Sequence, residues 1–268
     1  MEKSKKKTSV VDPIWESIRD ETSVKMNREP LLSSFFNDLI HVHDSLEDCL
    51  ALQLARKLGS PMLTEKFLYD VLIESMNSTS RVGSLVRSDL QAFRDRDPAC
   101  DEYCMPLLYF KGFHALEAFR VAHDLWVRGR RELALYLQSR ISEVFSVDIH
   151  PAAQVGAGIL LDHATGLVIG ETAVINDNVS ILHEVTLGGT GKETGDRHPK
   201  IRSGVLIGAG AKILGNVEIG EGAKVAAGSM VLSNVPPRCT VAGVPAQIVG
   251  KCNEEQPALE MNQGFSIS

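Results

Sequence analysis

The sequence predicts an α+β chain, an all-helical amino-terminal part followed by a parallel β-solenoid of six-residue repeats. Three observations carry this. An aliphatic residue recurs at every sixth position, at Ile149, Val155 and Leu161, at Ile169, Ile175, Ile181 and Leu187, and at Ile201, Ile207, Ile213, Ile219, Val225 and Val231. A short fixed period of this kind marks a solenoid. Composition also divides near residue 146: 18 of the 22 glycines lie after it and 14 of the 15 aromatics before it, so only the first part can build a ring-filled core. Before that point, finally, the apolar residues fall at helical spacing.

Residues 1–11 carry Lys3, Lys5, Lys6 and Lys7 with no apolar segment behind them, and read as a disordered basic terminus with no signal or transit peptide. Residues 12–146 read as a helical domain. One stripe is Leu31, Leu32, Phe35, Phe36, Leu39 and Ile40; a second is Leu46, Leu50, Leu54 and Leu58, stopped by Gly59-Ser60-Pro61; a third is Phe67, Leu68, Val71 and Leu72. Pro106 opens a longer helix that ends near Gly129, and a last one runs from Leu133 to Phe145. These stripes suit a core or a subunit contact.

Residues 147–250 read as the repeats, each a short strand and a turn, three to a triangular coil with the aliphatic residues inside. Four places after nearly every anchor stands a small or β-branched residue, Ala153, Thr165, Ala173, Val179 and Val185, then Val205, Ala211, Val217, Ala223, Ser229 and Val235, with Ile159 the one larger member of the set. Residues about eighteen apart then lie above one another. Two interruptions break the count: Leu161 to Ile169 is eight residues, and Leu187 to Ile201 is fourteen. A solenoid accepts insertions at its corners, so the polar stretch Gly188–Lys200 should project, bearing Arg197 and His198, as the wall of a site. Val244-Pro245-Ala246 should close the prism, and residues 251–268 read as a mobile tail.

A net charge of −6 argues against general nucleic-acid binding. The chain has no run of about eighteen apolar residues that would span a membrane. Its five cysteines, irregularly spaced, fit reduced thiols of a cytoplasmic protein better than a disulfide framework.

Among the polar residues, Asp148 and His163 are fifteen apart, near one coil, which suits neighbouring coils at one corner. A carboxylate beside an imidazole orients it and stabilises the imidazolium. Such a pair is a general base without its own nucleophile, suited to a substrate that brings a hydroxyl or amine; the spacing equally allows two unrelated turn residues. Asp162 adjoins His163 and could bind a cationic amine. His163 and His183 are twenty apart, but a catalytic metal needs a third convergent ligand, and no metal site is expected. Asp97, followed by Pro98, reads as a helix N-cap. Gly188-Gly-Thr-Gly191 lacks the context of a nucleotide motif but lets backbone approach a ligand closely.

Taken together, Arg94–Ala99, Leu107–Ala115, Val147–Ala153, Leu161–Gly166, Ile169–Val174, Val185–Gly191, Gly195–Ile201 and Ala242–Ala246 resemble serine O-acetyltransferases over about residues 12 to 250. The resemblance implies a helical oligomerisation domain followed by a left-handed parallel β-helix, assembled as a homohexamer, a dimer of trimers, with active sites between neighbouring prisms. It implies transfer of acetyl from acetyl-CoA to L-serine, with acetyl-CoA as co-substrate and no tightly bound cofactor, and inhibition by L-cysteine. His163 is implied as general base with Asp148 as its partner. Asp97 and Asp162 would hold the serine ammonium, Arg197 and His198 its carboxylate region, and Gly189, Thr190, Ala209 and Ala227 would line the acetyl-CoA groove. Many members bind O-acetylserine sulfhydrylase through a terminal isoleucine; here Ile267 is penultimate and followed by Ser268, which displaces side chain and charge together. The rival readings are an acyltransferase for sugar amines, a zinc-dependent hydrating enzyme and a non-catalytic scaffold.

Overall fold

A computed structural model describes residues 12–78, 80–191, 194–252 and 254–264; the basic opening and the Phe265–Ser268 end fall outside them. The chain begins with α1 (Pro13–Arg28), whose start is set by Asp12. The Asp12 side chain accepts from the backbone N–H of Ile14 and Trp15, with Pro13 at the first helical position. The stripe at residues 31–40 is less regular than its spacing suggests: a 3₁₀ turn (Pro30–Leu32), a short α2 (Ser33–Phe36) and a π turn (Asn37–His41) share it. Then come α3 (Leu46–Leu58), α4 (Glu65–Ser78) and α5 (Ser80–Arg96). Ser45 caps α3 through the Asp48 N–H.

Asp97 starts no helix. Its side chain accepts the Ala99 N–H at 2.9 Å and its carbonyl accepts from Cys100, which makes a turn after α5 in place of the expected N-cap. The long helix expected from Pro106 is two, α6 (Cys104–Tyr109) and α7 (Lys111–Val127), because Phe110 is extended. Last of the set, α8 (Arg131–Phe145) ends on Ser146 in the left-handed region, φ 58, and the next residue is already strand. Phe93, Phe113, Phe119 and the Leu46–Leu58 stripe fill the helical core.

The repeats wind into three sheets. The first holds β1 (Val147–Ile149), β4 (Leu167–Ile169), β7 (Thr186–Gly188), β10 (Lys212–Leu214) and β13 (Met230–Val231). The second holds β2 (Gln154–Val155), β5 (Val174–Ile175), β8 (Lys200–Ile201) and β11 (Glu218–Ile219). The third holds β3 (Leu160–Leu161), β6 (Ser180–Ile181), β9 (Leu206–Ile207), β12 (Lys224–Val225), β14 (Cys239–Gly243) and β15 (Ala246–Lys251). All pairs are parallel except the closing β14–β15 hairpin.

Register records the insertions. Gln154 pairs with Val174, twenty residues on; Val174 pairs with Lys200, twenty-six on; Lys200 pairs with Glu218, the undisturbed eighteen on. The repeat anchors point inward and are buried, Val155 only partly. One of the small positions differs: Thr165 is exposed and Ala164 is buried in its stead, because the two added residues lengthen that corner.

The helices sit over the first coil. Arg120 of α7 bonds Asp89 of α5 at 2.7 Å and the Gly156 carbonyl at 2.8 Å, and Asp89 accepts the Ile159 N–H at 2.8 Å. Glu117, fully buried beside them, has burial and the Asp89 charge raising its carboxyl well above the ordinary value, with Arg120 opposing. The tail expected to be mobile is docked over residues 254–264. Its short α9 (Pro257–Glu260) buries Pro257 and Ala258, and the Ala258 carbonyl accepts the Ser180 hydroxyl at 2.9 Å. Among the described residues no helix is long and apolar enough to cross a membrane.

Candidate active site

The corner from the third sheet to the first is four residues long in the regular coils and five, Asp162–Gly166, in the first coil. His163 and Ala164 both adopt positive φ there, 54 and 58, a conformation that L-residues enter at a cost. The corner is braced from outside. Gly112 of α7 comes so close that an added Cβ would overlap the Leu161 carbonyl, and Lys111 Nζ bonds Thr165 Oγ1 at 2.5 Å. His163 is thereby thrust outward, with its side chain 75% exposed.

Its neighbours differ from the sequence-derived pair. Asp162 Oδ1 stands 3.8 Å from His163 Nε2. Asp148 lies on β1 and accepts from Gln138 Nε2 at 2.6 Å; no hydrogen bond or ion pair joins it to His163 within the chain. The Asp162 carboxyl is raised from its ordinary value first by burial; His163 pulls it down, Asp97 pushes it up and His183 pulls it down. Asp97, on the turn after α5, is thus near enough for its charge to act on Asp162. The His183 ring meets that of His163 edge-on, centroids 5.9 Å apart, and its Nδ1 is buried without a partner.

Below His163 the same edge continues as a column. The His183 carbonyl accepts the Gly210 N–H and the Ala209 carbonyl accepts the Gly228 N–H. Ala209 and Ala227 therefore follow His163 and His183 coil by coil down one edge.

The corner from the first sheet to the second carries the other predicted residues. Arg197 and His198 end the long excursion and fold back onto Thr172 of the coil above. Arg197 also bonds Glu171 at 2.7 Å, which holds that carboxyl below its ordinary value. His150 occupies the corner one coil earlier and packs edge-on to Trp126, centroids 5.2 Å apart. Gly189 sits against Arg197, and Thr190 against Gly215. The chain thus places Asp97, Asp162, His163, Ala209 and Ala227 at one edge of the first sheet and Gly189, Thr190, Arg197 and His198 at the other, with Asp148 on the face between. A three-residue strand separates the edges by roughly 10 Å.

Residues outside the predicted set shape both corners. His183 was visible through its coil spacing from His163, although as a metal ligand. Thr172 lies in the Ile169-Gly-Glu-Thr stretch, and nothing in its spacing announces its contacts. Gln138, on a helix, carries no periodic signal at all. Among the described residues no group of three or more His, Cys, Asp or Glu side chains could hold a metal ion, and all five cysteines are free.

Comparison with known proteins agrees across both halves. A family model described as "Serine acetyltransferase, N-terminal" matches residues 14–118, and one described as "Bacterial transferase hexapeptide (six repeats)" matches residues 198–233. The serine acetyltransferase of Salmonella typhimurium is 54% identical over 253 residues, 94% of this chain and 93% of that protein. The structure of the Brucella abortus serine acetyltransferase in complex with coenzyme A superposes with a TM-score of 0.89 at 53% identity, covering 91% of this chain and 97% of that one. A serine acetyltransferase in complex with cysteine gives 0.92 at 51% identity, covering 94% and 98%. Agreement of this extent, running through the helices that brace the first corner and the coils that build both edges, means that the chain belongs to the serine acetyltransferase family.

Proposed function

We propose that the chain transfers the acetyl group of acetyl-CoA to the hydroxyl of L-serine, giving O-acetylserine and coenzyme A, the first step of cysteine biosynthesis from serine. The observation that carries this reading is the exposed His163 beside Asp162, at the head of an edge that continues through Ala209 and Ala227. The serine ammonium lies between Asp97 and Asp162, whose shared negative charge favours a cation. His163 takes the hydroxyl proton as the serine oxygen attacks the thioester carbonyl. Backbone N–H groups stabilise the tetrahedral oxyanion; its collapse releases the coenzyme A thiolate, which His163 can reprotonate. Arg197 and His198 hold the serine carboxylate.

Asp148 is the proposed orienting partner of His163. Since Gln138 holds it within the chain, the pair closes through a rotamer change or through a neighbouring chain. The separation of the two edges supports the second route and, with it, an active site shared between prisms of a homohexamer, a dimer of trimers. Residues 12–146 serve assembly in this reading, which the exposed Leu31, Leu32, Phe35, Met62 and Phe67 support. Gly189 and Thr190 of one prism face Ala209 and Ala227 of the next across the acetyl-CoA groove, and the coenzyme A complex of the Brucella relative supports that ligand class. The cysteine complex of another relative supports feedback inhibition by L-cysteine at the serine pocket. The cytoplasm is the proposed location. Complex formation with O-acetylserine sulfhydrylase through the tail is tested by titration with and without residues 259–268.

The deciding experiment is release of coenzyme A thiol from acetyl-CoA with L-serine present or omitted. Serine-dependent release that disappears in His163→Ala is the expected result. Release that sugar amines support and serine does not would overturn it.

A further inference from the structure

His198 is held by one residue of the coil above. Thr172 Oγ1 accepts the backbone N–H of Arg197 at 3.0 Å and of His198 at 3.1 Å. Both lone pairs of the hydroxyl are then used, so its hydrogen has to point elsewhere. His198 Nδ1 stands 2.9 Å away. The Thr172 backbone N–H also faces Nδ1, at 3.2 Å. A ring proton on Nδ1 would leave both donors facing a third. Asp196, which accepts from Lys200 Nζ at 2.5 Å, is a second acceptor within reach of the hydroxyl, but the Thr172 backbone N–H has Nδ1 as its acceptor in either case. Nδ1 is therefore the acceptor, and the hydrogen of the neutral ring sits on Nε2. Gly170 backs the ring so closely that an added Cβ would overlap it. The residue is 7% exposed, and no hydrogen bond to Nε2 is formed among the described residues.

We propose that Thr172 is a positioning residue for the reaction, holding His198 as the neutral tautomer whose Nε2–H is a fixed donor to the serine carboxylate. The proposal rests on the reading above that His198 meets that carboxylate. Arg197 supplies the charge at this corner and His198 supplies direction. Burial lowers the His198 pKa below its ordinary 6.5; Arg197, Lys200 and His150 act in the same sense, and Glu171 opposes them. The ring thus stays neutral as pH falls to the point where a free imidazole would charge.

The test is Thr172→Val, which keeps the shape and removes the hydroxyl, beside Thr172→Ser, which keeps the hydroxyl. Ring-nitrogen shifts from ¹⁵N-histidine-labelled protein, assigned with His198→Gln, read the tautomer directly. In the valine variant the His198 proton should redistribute toward Nδ1 and its pKa should rise. The KM for serine should rise about tenfold, the scale of one lost hydrogen bond, and become pH-dependent near neutrality, with kcat within about twofold. Serine at 172 should restore both readouts. An unchanged tautomer in Thr172→Val overturns the proposal, as does a serine variant no better than valine. If the tautomer moves while KM does not, the role of Thr172 stands and the placing of the serine carboxylate on His198 falls.

Discussion

At one edge of the first sheet two extra residues lift His163 out of the prism; at the other, eight extra residues fold back and bury His198. The first corner leaves its imidazole exposed with a single carboxylate 3.8 Å away. The second fixes its imidazole by bonds to ring and backbone from Thr172. The difference suits two jobs. A base that takes and returns a proton needs a ring whose charged form is not excluded, whereas a group that orients a substrate works best when it cannot move or charge.

Substitution of the two histidines should expose that contrast most strongly. We expect His163→Ala to lower kcat a few hundred-fold or more, the scale of general-base catalysis, with the KM for serine changed little. His198→Ala should instead raise that KM about tenfold or more and spare kcat. Steady-state kinetics on folded protein decide, and equal effects on kcat would erase the distinction between the corners.

The two close-approach glycines sharpen it further. In Gly112→Ala the new methyl meets the Leu161 carbonyl, and in Gly170→Ala it meets the His198 ring. Overpacking of this kind costs about 1–3 kcal/mol, so thermal unfolding should shift down in both. The kinetic signatures should part: kcat falls when the His163 corner is displaced, and the KM for serine rises when His198 is.

A smaller effect is expected at the clamp between helices and coils. Glu117, raised well above its ordinary 4.5, contributes stability fully below that value and loses it as pH rises toward its folded pKa. Glu117→Gln mimics the protonated form. The variant should match or exceed the parent's melting temperature at neutral pH and lose the parent's decline as pH rises above about 4.5. A parent flat with pH, or a glutamine variant that melts much lower, would show that Glu117 is buried as the anion.

Much of this was legible beforehand. The inward residues of the coils follow from a period of six, and the family from the stretches at both corners together. Thr165 shows the limit: extending the period through an insertion assigns it to the interior, and the added residues put Ala164 there. Asp97 shows another, since Asp-Pro starts helices in general, while here Asp97 forms the turn that follows α5. Gln138 and Asp148 show a third, because a helix residue and a strand residue meet only after the helical part has packed on the first coil.

The sequence by itself determined the solenoid, its two raised corners and the set of residues on them, because repeat period and insertion length are local properties that each coil expresses in turn. Tertiary structure alone decided which of those residues face one another. It turned Gln138 onto Asp148, brought the His183 ring to that of His163, and aimed Thr172 at His198. Those contacts depend on stacking between coils twenty or twenty-six residues apart and on helices packed across the first of them. A few ångströms of displacement there separates a bonded pair from two neighbours.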